Sequence, residues 1–100
     1  MLQDEVRKFV SGAVDGDIDA MWAVSKDIHA HPQIGFEETY ASALCREVLA
    51  KEGFAVEDAC EDLPTAFRAS WNNGVGPRIA FFAEYDALPE LGHACGHNLI

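Results

Sequence analysis

Basic residues are scarce in this chain: seven lysines and arginines stand against 17 aspartates and glutamates over 100 residues, a formal net charge of -10. A surface of that sign repels nucleic acids and anionic membranes, which are bound by basic faces that release counterions or meet acidic head groups. Long apolar runs are missing too. No stretch approaches the roughly 18 apolar residues of a membrane span, and no basic segment leading into an apolar one opens the sequence as a secretory leader would. With neither nucleic acid nor membrane as a partner, a cytoplasmic protein is expected. Cysteine is sparse and odd in number, limited to Cys45, Cys60 and Cys95. Without a secretory context, that count favours free thiols over a disulfide framework. Internal repeats, low-complexity tracts and dividing linkers are also absent.

What is present suits one small folded domain. Hydrophobic residues make up 49% and charged residues 24% of the 100 positions, a globular balance in a length too short for two domains. Leu2, Val6, Phe9, Val10 and Ala13 recur at helical spacing behind Asp4 and Glu5, and Gly16 reads as punctuation. A second helix is expected from Asp17 or Asp19, burying Met21, Trp22, Val24 and Ile28 and ending before Pro32. His29 and His31 at its end read as capping or backbone-bonding side chains. A third helix is expected from Glu37 to Lys51, with Phe36, Tyr40, Leu44 and Val48 on one stripe and Gly53 as its stop.

After Gly53 the character changes to strands: Phe54 to Val56, Ala66 to Trp71, and the apolar run Arg78 to Ala83. Asn72-Asn73-Gly74 and Val75-Gly76-Pro77 form a turn signal that would join the last two as a hairpin. The expected class is therefore α/β, helices followed by a mixed sheet with a hairpin. The apolar strand delivers a polar cluster at its C-terminal end, where α/β folds usually carry their chemistry.

That cluster is Glu84, Asp86, Glu90, His93, Cys95 and His97. Cys95 and His97 are separated by Gly96, which permits the sharp turn that would let a thiolate and an imidazole reach one ion or two adjacent ions. Such donors select zinc, cobalt, nickel or manganese over calcium or magnesium. Asp86 is placed to accept the free ring N–H of a metal-bound histidine. Glu84 shares its face by strand alternation and is a further candidate ligand, as is His93, which either faces the site or caps the loop. Glu90 reads as part of a solvated loop. A nucleophilic Cys95 is the competing reading, although His97 is poorly placed to act as base for a thiol two residues away.

Three ordered motifs carry a resemblance. His29-Ala30-His31-Pro32-Gln33-Ile34-Gly35-Phe36-Glu37-Glu38, Ala83-Glu84-Tyr85-Asp86-Ala87-Leu88-Pro89 and Gly92-His93-Ala94-Cys95-Gly96-His97-Asn98 resemble, in order and spacing, the N-terminal part of the M20 metallopeptidase family. The likeness is strongest to its amidohydrolase subfamily, with aminobenzoyl-glutamate-hydrolase-like members, and Glu84-Tyr85-Asp86 looks like its dipeptidase group. The resemblance implies that residues 1–100 are the N-terminal segment of a zinc-peptidase-like catalytic domain. It implies a two-metal hydrolase acting on N-acyl amino acids, dipeptides or similar small amides, with Cys95 and His97 as metal ligands and Asp86 supporting the site. It further implies a glutamate base, other ligands and a dimerising lid domain, none of them within these residues. Asn98 stands where many members carry aspartate.

Overall fold

The computed structural model describes residues 2–100. Helix α1 spans Leu2–Ala30, helix α2 Thr39–Lys51, strand β1 Ala55–Cys60 and strand β2 Leu63–Ser70, and His97–Leu99 form one turn of 3-10 helix. No helix of the described residues is long and apolar enough to cross a membrane.

The two expected N-terminal helices are one. Gly12 and Gly16 each cost a helix about 1 kcal/mol relative to alanine. Neither adopts a positive φ, and with no proline before Pro32 the hydrogen-bond ladder runs unbroken for 29 residues, about 43 Å at a helical rise. Only the last turns pack: Ser25 and Ile28 are buried, whereas Leu2, Val6, Phe9, Val10, Met21 and Trp22 are exposed. The expected burial of that stripe is thus corrected, because no other described element lies alongside the first five turns.

Helix α2 begins two residues later than its pattern suggests. Phe36 takes a φ of +71°, a left-handed conformation that a bulky residue adopts only in a turn, and so leaves the apolar stripe. Gln33 then serves the helix start. Its Oε1 accepts from the Tyr40 backbone N–H at 2.7 Å and its Nε2 donates to Thr39 Oγ1 at 3.0 Å, satisfying one of the amides a first turn leaves open. Gly53, at φ +92°, ends the helix as expected.

The sheet differs from the expected one. β1 and β2 form an antiparallel pair, Ala55 opposite Ser70 and Cys60 opposite Leu63, turning at Glu61 and Asp62, with an irregularity between Asp58 and Cys60. The hairpin therefore precedes the Asn72–Pro77 segment. Asn72 does form its local turn, accepting from Gly74 N–H at 2.8 Å, but the following apolar run does not pair. Ile79, Phe81 and Phe82 are 78%, 95% and 95% exposed. A run apolar on both faces reads as a central strand, which needs neighbours on both edges and cover on both faces. β2 pairs only with β1, and the described residues supply neither.

Arg46 joins α2 to the sheet: it donates to Ser42 Oγ at 3.0 Å, Asp58 Oδ1 at 2.6 Å and the Ala66 carbonyl at 3.1 Å, and it lies over the Phe67 ring. Tyr40 joins α2 to α1 by donating to Asp27 Oδ1 at 2.8 Å, with His31 stacked on its ring. The segment that carries the chemistry is tied to this frame where Ala87 N–H donates to the Gln33 carbonyl at 2.7 Å and Ala87 bridges Ile34.

Candidate metal centre

The segment Glu84-Tyr85-Asp86 is extended, so its side chains alternate. Tyr85 turns inward and donates its hydroxyl to the Thr65 backbone carbonyl on β2, and burial raises its phenol above the ordinary value. Glu84 and Asp86 consequently face the other way, toward His97.

His97 is brought back to them by a compact loop. Leu88 and Gly92 exchange backbone hydrogen bonds at 2.9 and 3.2 Å, and Gly96, at φ +88°, starts the 3-10 turn. That conformation is open to glycine and strained for other residues. His97 Nδ1 lies 2.7 Å from Asp86 Oδ1 and Nε2 lies 3.1 Å from Glu84 Oε2. The hydrogen bond to Asp86 is the main reason the imidazole holds its proton above the usual pH range; partial burial opposes this, and the charges of Asp86 and Glu84 add to it.

The donor chemistry fits a cation. With Nδ1–H committed to Asp86, the Nε2 lone pair of a neutral ring faces the Glu84 carboxylate, a repulsive contact unless a proton or a metal ion sits between them. Among the described residues, donor atoms of Glu84, Asp86 and His97 lie within 4.8 Å of one another, a mixed nitrogen and oxygen set suited to several first-row metals. Asp86 and Glu84, expected respectively behind and beside a histidine ligand, both reach it.

Cys95 does not belong to this group. Its thiol is free and exposed, on the loop between His93 and the 3-10 turn. His93 is buried, 7% exposed, and neither ring nitrogen has a hydrogen-bond partner. Burial lowers its proton affinity, the nearby His29 and His97 lower it further, and Asp86 opposes them. Its ring centroid is 6.2 Å from that of His29. His31 bonds the Asp27 carbonyl at 2.9 Å, the structural role expected at a helix end. Glu90 is exposed.

Sequence reasoning missed Ser25. It is buried in α1 and receives the Asn98 amide, Nδ2 donating to Ser25 Oγ at 3.0 Å. A polar residue on the otherwise apolar face of Val24 and Ile28 was the available signal.

No family model matches the chain. Curated proteins do. The chain belongs to the M20 amidohydrolase family, matching members over most of its own length. It is 42% identical over 96 residues to the mouse (Mus musculus) protein named Xaa-Arg dipeptidase, covering 87% of this chain and 22% of that protein. The human (Homo sapiens) protein of the same name is 37% identical over 99 residues, covering 87% of this chain and 23% of the relative. One subunit of the p-aminobenzoyl-glutamate hydrolase of Escherichia coli (strain K12) is 32% identical over 113 aligned positions, covering 96% and 23%. The chain thus spans less than a quarter of the length of these relatives.

Proposed function

We propose that this chain contributes part of the catalytic domain of a metal-dependent hydrolase that cleaves amide or peptide bonds in small molecules such as dipeptides, N-acyl amino acids or related conjugates. The observation that carries the reading is the setting of His97, with Asp86 on one ring nitrogen and Glu84 facing the other. The names of the relatives, dipeptidase and aminobenzoyl-glutamate hydrolase, support the substrate class.

In this reading His97 and Cys95 are ligands, and Glu84 and His93 are further candidates. Asp86 fixes the His97 tautomer and makes Nε2 a better donor. A divalent ion, zinc or else manganese, cobalt or nickel, would supply Lewis acidity, polarising the scissile carbonyl and making water acidic enough to attack near neutral pH. Family likeness points to two ions per complete subunit. Cys95 lies outside the preformed cluster, so its participation requires the Ala94-Cys95-Gly96 loop to turn its thiolate inward on binding. The general base is supplied by residues outside this chain, and the 100 residues alone are inactive.

The test is hydrolysis of a panel of dipeptides and N-acyl amino acids by the complete protein, with and without a chelator. Cleavage that is lost with the chelator and restored by metal is the expected result. Chelator-insensitive cleavage, or none of any panel member, would count against the reading, and the latter would favour a non-catalytic binding module.

A further inference from the structure

We infer that Asn98 is a positioning residue, which through Ser25 of helix α1 holds the His97 ring in line with Asp86 and Glu84. The inference deepens the proposed function and rests on its assignment of His97 as a ligand.

His97 and Asn98 are consecutive residues of a single 3-10 turn, so their backbones move together. The two side chains are fixed in different places. The His97 ring meets Asp86 at 2.7 Å, while the Asn98 amide donates to Ser25 Oγ at 3.0 Å and reaches the Ser25 carbonyl at 3.4 Å. Those bonds cross 73 residues of sequence and end on a helix residue that is only 7% exposed. The turn itself is short: Leu99 N–H bonds the Gly96 carbonyl at 2.9 Å and Ile100 N–H the His97 carbonyl at 3.2 Å. It is entered through Gly96 in the left-handed region. One turn of helix is too short to hold its own shape, so the ring's direction depends on an outside anchor.

The chemistry of residue 98 is specific. The acceptors it faces include a backbone carbonyl, which can only accept, so the side chain must donate. An amide nitrogen carries two hydrogens, whereas an ionised carboxylate carries none. Aspartate at this position would set an anion against the Ser25 carbonyl and keep only a bond accepted from the Ser25 hydroxyl. The asparagine and the buried serine are therefore two halves of one device.

The test reads the His97 ring by NMR in the full chain, through the Nδ1–H proton that donates to Asp86 and the backbone amides of Leu99 and Ile100. In the unsubstituted chain the ring proton is expected downfield and slow to exchange. Asn98→Ala and Ser25→Ala should each speed exchange of these protons by about tenfold, and the double substitution should do no more than either alone, as for partners in one interaction. Asn98→Asp, which can keep the hydroxyl bond and not the carbonyl contact, should fall between the unsubstituted chain and Asn98→Ala. The chemical shifts of the strand residues Glu57 and Phe67 serve as the folding control and should stay unchanged. Exchange within twofold of the unsubstituted chain in Asn98→Ala, or additive effects of the two alanine substitutions, would overturn the inference. A parallel Co2+ titration of the complete protein and its variants, which carry the remaining ligands, separates it from the metal reading. If the ring proton responds as expected and no variant takes up Co2+, the anchoring stands and the metal reading fails. If the complete protein and its Asn98→Ala variant bind Co2+ alike, and the substitution leaves the metal-free ring signals unchanged, the anchoring fails and the metal reading stands.

Discussion

Tyr85 donates its hydroxyl to the backbone carbonyl of Thr65, and this one bond decides which way two carboxylates face. Thr65 is buried and itself donates to Glu38 Oε1 at 3.0 Å, so Tyr85 is pinned between β2 and α2. Because the backbone is extended, pinning the middle residue inward sends Glu84 and Asp86 outward to His97. Tyr85→Phe keeps the ring and removes the donor, leaving a partly buried carbonyl unpaired. The expected cost is about 1 kcal/mol of stability by denaturant melt, together with a displaced His97 ring resonance. A melt shift without any His97 response would show that the carboxylates are aimed by something else.

Asp86→Asn removes the charge behind His97 while keeping its shape. Affinity for Zn2+ or Co2+ in the complete protein should fall by roughly 10–100-fold, the usual effect of losing the partner of a metal-bound histidine. Competition with a chromogenic chelator measures it. Unchanged affinity would remove Asp86 from the site.

The three thiols should separate in a maleimide time course. Cys60 and Cys95 are exposed, whereas Cys45 is partly buried and its thiol pushed above the ordinary value by that burial; its labelling should be slower by roughly an order of magnitude. In the complete protein, added Zn2+ should slow labelling of Cys95 and leave that of Cys60 unchanged. Equal labelling of both with and without metal would mean that the Cys95 loop does not turn inward.

Gln33→Ala removes the side chain that accepts from the Tyr40 N–H at the start of α2. A loss of about 1 kcal/mol is expected, as for other helix-start caps, and Gln33→Glu should retain most of the stability because it keeps the acceptor. Equal losses in the two variants would place the effect in the Thr39 contact instead.

An alkaline limb should appear in the stability profile. Tyr40 is held protonated by its hydrogen bond to Asp27, with burial and the Asp27 charge adding to the shift. A phenol whose folded pKa lies above its unfolded value contributes fully below about pH 10 and loses that contribution as pH rises through the folded value. Melting temperatures across that range should fall less in Tyr40→Phe than in the unsubstituted chain. Identical alkaline limbs would assign the effect elsewhere.

How far the sequence foretells this arrangement depends on the range of the interaction concerned. The glycine stop of α2, the alternation that puts Glu84 and Asp86 on one face, and the glycine turn before His97 are all written in neighbouring residues, and they are where expectation and structure agree; the α2 stripe does not agree, since Phe36 and Tyr40 are exposed and Ala41 and Ser42 are the buried positions. The β1–β2 hairpin was hidden because Asp62 and Pro64 are its sole turn signals, weaker than the glycine-containing pairs that usually close a hairpin, while Asn72-Asn73-Gly74 marks a turn that closes no hairpin. The continuity of α1 was hidden because glycine weakens a helix without ending it. Gln33 and Ser25 act on residues distant in sequence or outside their own element, and single-sequence patterns do not register such partners.

The exposed run Ile79-Ala80-Phe81-Phe82-Ala83 has a colloidal consequence. Five apolar residues, three of them strand-prone, with no backbone partner among the described residues are a template for adding another chain edge to edge, checked on either side by Arg78 and Glu84. The restraint that acts at longer range is the net charge of -10, which keeps copies apart at low ionic strength. Salt shortens the reach of that repulsion, and acidification toward the carboxylate range, about pH 4, abolishes it. Solubility of this chain is thereby a balance between one short sticky segment and the acidic surface around it, set as much by the buffer as by the fold.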